Sequence, residues 1–247
     1  MNREPSENRF YDSQTFHPLL LGGGKVASHL HHYFHQKNVP HSHWLDARDL
    51  SEAFYQKLEK CSSVWLLVAD QAIEELKLTL QKRKPSLRFV HASGSLSIAN
   101  VNTLHPIMTF GPELYELQEY EKIPFTVIEE EWIDQPTDLL AFFSLFPNPR
   151  NTVSSKDRAR YHANCVMTSN FPQILWRETY SEVFKPLLQK SVQNFLEHGE
   201  KALTGPLQRG DQATIEKHLT ALKDSPLHDL YQEFVKFYNV ISQRRKS

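Results

Sequence analysis

The chain is poor in glycine, with 8 in 247 residues, and has only two cysteines, Cys61 and Cys165. Two cysteines make no disulfide framework, so reduced thiols and a cytoplasmic setting are expected. No apolar run approaches the ~18 residues of a membrane span. Neither sign of charge dominates: 28 Lys and Arg stand against 29 Asp and Glu. Without a basic field, neither nucleic acid nor an anionic membrane is expected as a partner. Met1 to Ser13 are polar and lack the apolar core of a secretion signal. Residues 1–15 are therefore expected to form a polar extension, and export is not expected.

Against that scarcity, three of the eight glycines stand together. Leu19-Leu20-Leu21 enters Gly22-Gly23-Gly24, and Lys25-Val26-Ala27-Ser28-His29-Leu30 leaves it with helical spacing. The order is strand, tight turn, helix. As G-x-G-x-x-A it supplies Gly22 for the turn, Gly24 for close approach of a pyrophosphate and Ala27 for close helix–strand packing. The free N–H groups opening the helix would face the anion. Gly22, Gly23, Gly24, Lys25 and Val26 are the expected cofactor contacts. A plain turn between strand and helix that binds nothing is the alternative.

The first half alternates between strand and helix patterns. Strands are expected at Leu19–Leu21, His43–Leu45, Val64–Ala69, Leu87–Val90 and Phe125–Ile128. Helices are expected at Val26–Gln36, Ser51–Leu58, Ile73–Gln81 and Leu139–Phe146. That alternation predicts an α/β fold with a doubly wound, Rossmann-like parallel sheet over residues 16–153. Beyond Lys156 strand patterns vanish. Helices are expected at Arg158–Thr179, bent at Pro172, and at Val183–His198, Gln212–Leu222 and Leu227–Ile241, with Asp211 as an N-cap. Residues 154–247 thus form an expected all-α domain for substrate and dimerisation, joined to the first near Pro147–Ser155.

In open α/β sheets ligands bind outside the carboxyl ends of strands. Ala69-Asp70 and Ser93-Gly94 follow apolar strands and are expected to line the cofactor cleft, although Ser and Gly also favour ordinary turns. Asp46 lies 24 residues after Gly22, where a carboxylate grips the ribose 2′-OH of NAD, and Arg48 beside it would attract a 2′-phosphate. NAD or NADP is expected, with a lean to NAD. His105 and His162 are candidate proton donors, since imidazole titrates near neutral pH. Asn170 lies eight residues after His162, near one helical face, and could orient a substrate carbonyl. Tyr161, Asn164 and Thr204 are candidate substrate contacts, and Arg209 could clamp a carboxylate or merely pair with Asp211.

The histidines at 29, 31, 32, 35, 41 and 43 are conspicuous, and His31 and His35 could share a metal. His29, His31, His32 and His35 occupy the first helix, whose polar face is expected to be solvated, with no cysteine nearby. No metal site is expected. Cys61 and Cys165 have no partnered base and do not read as nucleophiles.

Four segments together resemble a known family. They are Gly22 to Leu30; His91-Ala92-Ser93-Gly94-Ser95-Leu96-Ser97 with His105-Pro106-Ile107-Met108-Thr109-Phe110; Tyr161-His162-Ala163-Asn164 through Ser169-Asn170-Phe171; and Ala202-Leu203-Thr204-Gly205-Pro206-Leu207-Gln208-Arg209-Gly210-Asp211. The resemblance is to proteins pairing a Rossmann-like domain with a C-terminal domain of unknown function 2520. The Leu-Thr-Gly-Pro-x-x-Arg-Gly-Asp stretch is its most specific part. More remotely, it is similar to pyrroline-5-carboxylate reductase, ketopantoate reductase and the 6-phosphogluconate dehydrogenase group. The resemblance implies a nicotinamide cofactor and a helical domain that closes the substrate cleft and often dimerises. One departure is Asp46-Ala47-Arg48, where the family suggests a Ser-Arg-Ser-like segment suited to a 2′-phosphate. The expected activity is NAD(P)-dependent reduction of a small carbonyl or imine substrate carrying a carboxylate. A non-catalytic nucleotide-binding sensor or assembly protein on the same fold is the alternative.

Overall fold

The structure, a computed structural model, describes residues 16–134 and 137–244. The polar extension expected at residues 1–15 lies outside them. Two compact units divide the chain, one up to Leu175 and one from Trp176 onward.

The first unit is built on a five-stranded parallel sheet: β1 Pro18–Leu21, β2 Ser42–Trp44, β3 Ser63–Leu66, β4 Arg88–His91 and β5 Asn102–Thr103. Their spatial order is β2-β1-β3-β4-β5. Chain order reverses between β1 and β3, which is the switch point where such sheets bind ligands. Helices α1 Lys25–Gln36, α2 Glu52–Glu59 and α3 Asp70–Arg83 make the crossovers.

The strands are apolar on both faces because each face is covered. Leu20, Trp65 and Val90 pack with Leu30, Tyr33 and Phe34 of α1. Leu19, Leu21, Val64, Leu66 and Phe89 pack with Phe54 and Leu58 of α2 and Ile73 and Leu80 of α3. This two-sided burial explains why the strands read as continuous apolar runs.

Three elements follow that were not expected: β6 His105–Pro106, α4 Leu117–Tyr120 and α5 Glu129–Asp134. Between the last two lies β7 Phe125–Ile128, with the bounds its pattern predicts. Helix α6 Thr137–Leu145 then leads to β8 Arg150–Val153. The stretch expected to join two domains therefore holds a strand; its alternating exposure carries too little apolar signal to be read from sequence. Strands β6, β7 and β8 form a small sheet, antiparallel then parallel. Strand β3 also stops short of the expected Ala69, because Leu67 leaves the ladder after one last bond to Leu21.

The first helix differs from its expected solvated polar face. His29 is buried; it accepts a hydrogen bond from Tyr120 at 2.8 Å and faces the Gly111 carbonyl at 3.2 Å. His31 and His41 bond each other at 2.8 Å. Among the described residues no group of three His, Cys, Asp or Glu is placed to hold a metal.

Helix α7 Arg158–Thr179 runs through Pro172 and passes from the first unit into the second. The second unit continues with α8 Lys185–His198, α9 Pro206–Arg209, α10 Gln212–Ala221 and α11 Leu227–Arg244. Asp211 caps α10 as expected, accepting from the Thr214 amide at 3.1 Å. No described helix is long and apolar enough to cross a membrane.

Candidate functional site

A cleft of about 820 Å³ opens at the carboxyl ends of β1 and β3. Its lining includes Gly22, Gly23, Gly24, Lys25 and Val26 from the glycine turn, Asp46 and Arg48 beyond β2, Ala69 and Asp70 beyond β3, and Ser93 beyond β4. Of the expected cofactor contacts only Gly94 is outside it. Glu75 and Thr79 of α3 also line the cleft and carried no signal in the sequence.

The turn is built for close approach. Gly22 has φ +143°, and a Cβ there would strike the Leu67 carbonyl, so a side chain is excluded. Gly24 has an ordinary extended backbone, yet a Cβ there would meet nothing within 4 Å. The free amides opening α1 follow it. An empty cradle beside free N–H groups fits a pyrophosphate.

At the cleft rim, Asp46 and Arg48 engage each other. The Arg48 guanidinium donates to both carboxylate oxygens, at 3.0 and 3.3 Å, and its amide donates at 3.0 Å. These bonds hold the Asp46 carboxyl below the usual carboxylate range. Both polarities needed to read a ribose 2′ position, a carboxylate and a guanidinium, thus sit side by side.

Beyond β4 the cleft meets a group of rings. Ser93 donates to Asp70 at 2.7 Å, and the Ser93 amide donates to Nδ1 of buried His91 at 3.2 Å. Gly94 then lets two imidazoles approach the backbone. A Cβ at Gly94 would lie 2.5 Å from Cδ2 of His162 and 3.1 Å from Nε2 of His105. The two rings lie 5.8 Å apart, centre to centre. Both expected proton donors therefore flank one glycine, one residue beyond the cleft lining. Burial, and secondly the neighbouring His162, lower the His105 pKa to about 4. At neutral pH its ring is an uncharged hydrogen-bonding group.

Tyr161 bridges these elements. Its hydroxyl lies 2.6 Å from Nδ1 of His105 and accepts from Thr126 at 2.7 Å. Burial raises the phenol pKa well above its ordinary value. One turn earlier on α7, buried Arg158 donates to the Leu96 carbonyl and to Glu131, whose carboxylate also takes the Thr103 amide. These bonds fasten the start of α7 against the first unit's loops and so place Tyr161 and His162. Sequence reading missed Arg158, Glu131, Thr126 and Asn151. The one available signal was Thr126, a lone hydroxyl inside the apolar strand Phe125–Ile128.

The other substrate candidates are exposed. Asn170 is exposed, and its side chain accepts from Ser169 at 3.1 Å rather than meeting His162. Eight residues along a helix is about 12 Å of rise, which separates the two despite a shared face. Asn164 is exposed. Thr204 and Arg209 are exposed in the second unit.

Comparison with known proteins places this geometry. No curated protein matches the chain. Among solved structures, the chain is similar to a Bacteroides fragilis protein described as a candidate NADP oxidoreductase, at 20% identity and TM-score 0.71, covering 92% of this chain and 99% of that one. It is similar to a protein from Thermotoga maritima at 19% identity and TM-score 0.63, covering 93% and 100%. It is similar to the pyrroline carboxylate reductase of Plasmodium falciparum with NADP bound, at 12% identity and TM-score 0.52, covering 94% and 100%. At such identities the likeness is one of fold. Residues 139–243 match the family described as domain of unknown function DUF2520. The chain thus carries a DUF2520 domain, and its N-terminal fold is the Rossmann-like one that these structures share.

Proposed function

We propose that this protein is an NAD(P)-dependent oxidoreductase that reduces a small carbonyl or imine compound bearing a carboxylate. The observation that carries the reading is the cleft at the β1/β3 switch point, with an open cradle at Gly24 at one end and His105 and His162 against Gly94 at the other. When bound, a nicotinamide nucleotide supplies the hydride. The chain's own groups do the rest. Gly22 to Val26 and the α1 amides hold the pyrophosphate. Asp46 takes the ribose 2′-OH, which favours NAD, while Arg48 is the group that would accept a 2′-phosphate. Ala69, Asp70, Ser93 and Gly94 form the wall leading to the reacting carbon.

Neutral His105 gives a hydrogen bond to the substrate oxygen or nitrogen, and His162 delivers the proton. Tyr161 of α7, bonded to His105, is the proposed substrate-side contact. The exposed apolar faces of the second unit are the proposed surface of a homodimer.

Titration with NADH and NADPH tests the first half of the reading. Gly24→Val should abolish nucleotide binding while leaving the fold intact, because its side chain fills the cradle. Unchanged affinity in a folded variant would remove the cofactor assignment. A panel of oxo acids and cyclic imines tests the second half. His162→Gln should lower kcat by roughly 10²–10⁴-fold with cofactor binding retained. Tight nucleotide binding with no turnover on any member would favour a sensor on the same fold.

A further inference from the structure

We infer that Asn151, Thr126 and Tyr161 form a directed hydrogen-bond chain that fixes the tautomer of His105 and keeps its proton on Nε2, beside Gly94. The chain is written into strand register. His105 of β6 is paired with Thr126 of β7, and Thr126 is paired with Asn151 of β8. Residues in register across neighbouring strands project from the same face. Three polar side chains therefore stand in one row across the small sheet, and Tyr161 descends onto that row from the first turn of α7.

The bonds follow in sequence. The Asn151 amide nitrogen donates to Thr126 Oγ1 at 3.0 Å. The Thr126 hydroxyl in turn donates to the Tyr161 hydroxyl at 2.7 Å. Tyr161 has one proton and two neighbours that could take it, Nδ1 of His105 at 2.6 Å and the Cys165 thiol; the short approach to Nδ1 assigns the proton to His105. Nδ1 is then an acceptor, and neutral imidazole must carry its single proton on Nε2. Thr126 is fully buried, so no water competes for its hydroxyl. Burial keeps the ring neutral, with a pKa of about 4.

The result is a fixed N–H donor at Nε2, suited to an oxygen of a small carbonyl or carboxylate ligand. Thr126 and Asn151 are positioning residues: they touch neither ligand nor cofactor and act only through Tyr161. The tautomer stands on this geometry alone, whereas its consequence for turnover rests on the reductase reading.

Long-range proton–nitrogen correlation spectra of the ¹⁵N-labelled full chain at neutral pH test it directly. The His105 signal is assigned by its loss in His105→Gln. We expect protonation at Nε2 in the wild type and in Thr126→Ser, which keeps the hydroxyl. Tyr161→Phe and Thr126→Val should each give a mixture of tautomers, and either suffices should the other not fold. A wild-type proton on Nδ1 would mean that the chain runs in reverse, with the Asn151 carbonyl oxygen toward Thr126, and would overturn the inference. An unchanged Nε2 tautomer in folded variants would overturn it too. Where turnover is found, Thr126→Val should lower kcat by roughly tenfold or more at unchanged cofactor affinity, with Thr126→Ser restoring it. Absence of turnover would sink the reductase reading and leave the tautomer result standing.

Discussion

In the first unit Phe34, Trp65 and Phe142 meet ring to ring, at 5.3 Å and 5.8 Å between centres. In the second, Phe195, Phe234 and Phe237 face outward, and so do Val183 and Leu196, at 77% and 79% exposure. Among the described residues of the second unit, Ile215 is the one apolar residue that counts as buried. The two regions have similar helix patterns and opposite outcomes. A sheet offers two faces, so each crossover helix finds a surface to cover. Four helices of about 70 residues have no such platform, and a unit that small buries too little of its own surface for ample stability. The contrast teaches that the first unit is complete as a fold, while the second presents surface suited to another body.

Acid should separate the two regions most strongly. His91 of the first unit is buried and His105 partly buried, both are uncharged, and desolvation lowers each pKa from 6.5 to about 4. The unfolded chain binds these protons first, so stability is full above about pH 6.5 and falls as the pH drops toward 4. The loss should reach roughly 3 kcal/mol for each ring. Hydrogen exchange mapped to the two units across that window should show protection falling in the first. Equal loss in both units, or none, would remove the contrast.

The second unit should respond instead to charge on its surface. Phe195→Asp or Leu196→Asp places a carboxylate on an exposed side chain of α8, which an isolated subunit would tolerate. If a second copy covers that face, the change should raise the dimer dissociation constant by about a hundredfold, as sedimentation would show. A wild-type chain that sediments as a monomer at micromolar concentration would end the dimer proposal.

The smallest effect is expected at the cleft rim. Asp46→Ser frees Arg48 from its carboxylate partner and should shift the ratio of NADPH to NADH affinity several-fold toward NADPH. Because both side chains are solvated, the shift should shrink with added salt. An unmoved ratio would mean that Asp46 does not face the ribose.

Much of the first unit was legible because its signals are local. The glycine turn needs three adjacent residues, and β7 appears as three apolar ones around Thr126. The small sheet was not legible as a whole. His105–Pro106 is two residues long, and Arg150–Val153 alternates without an apolar face, so neither carries a periodicity of its own. Their pairing comes from β7, which supplies the ladder that both edges use. His29 likewise reads as one of a run of solvated helix histidines, and it is buried because Tyr120 and Gly111, distant in sequence, close over it.

By itself the sequence determined the α/β order, the turn at Gly22–Gly24 with its open place at Gly24, and the candidacy of His105, Tyr161 and His162. Those features depend on residue type and short spacing. Only the tertiary structure decided that His105 and His162 lie against Gly94 with Tyr161 bonded to His105, that Asn170 does not join them, and that Thr126 and Asn151 stand behind Tyr161. The reason is that hydrogen-bond partners and burial are set by strand register and by the docking of α7. Both arise from contacts tens of residues apart, for which no local pattern exists.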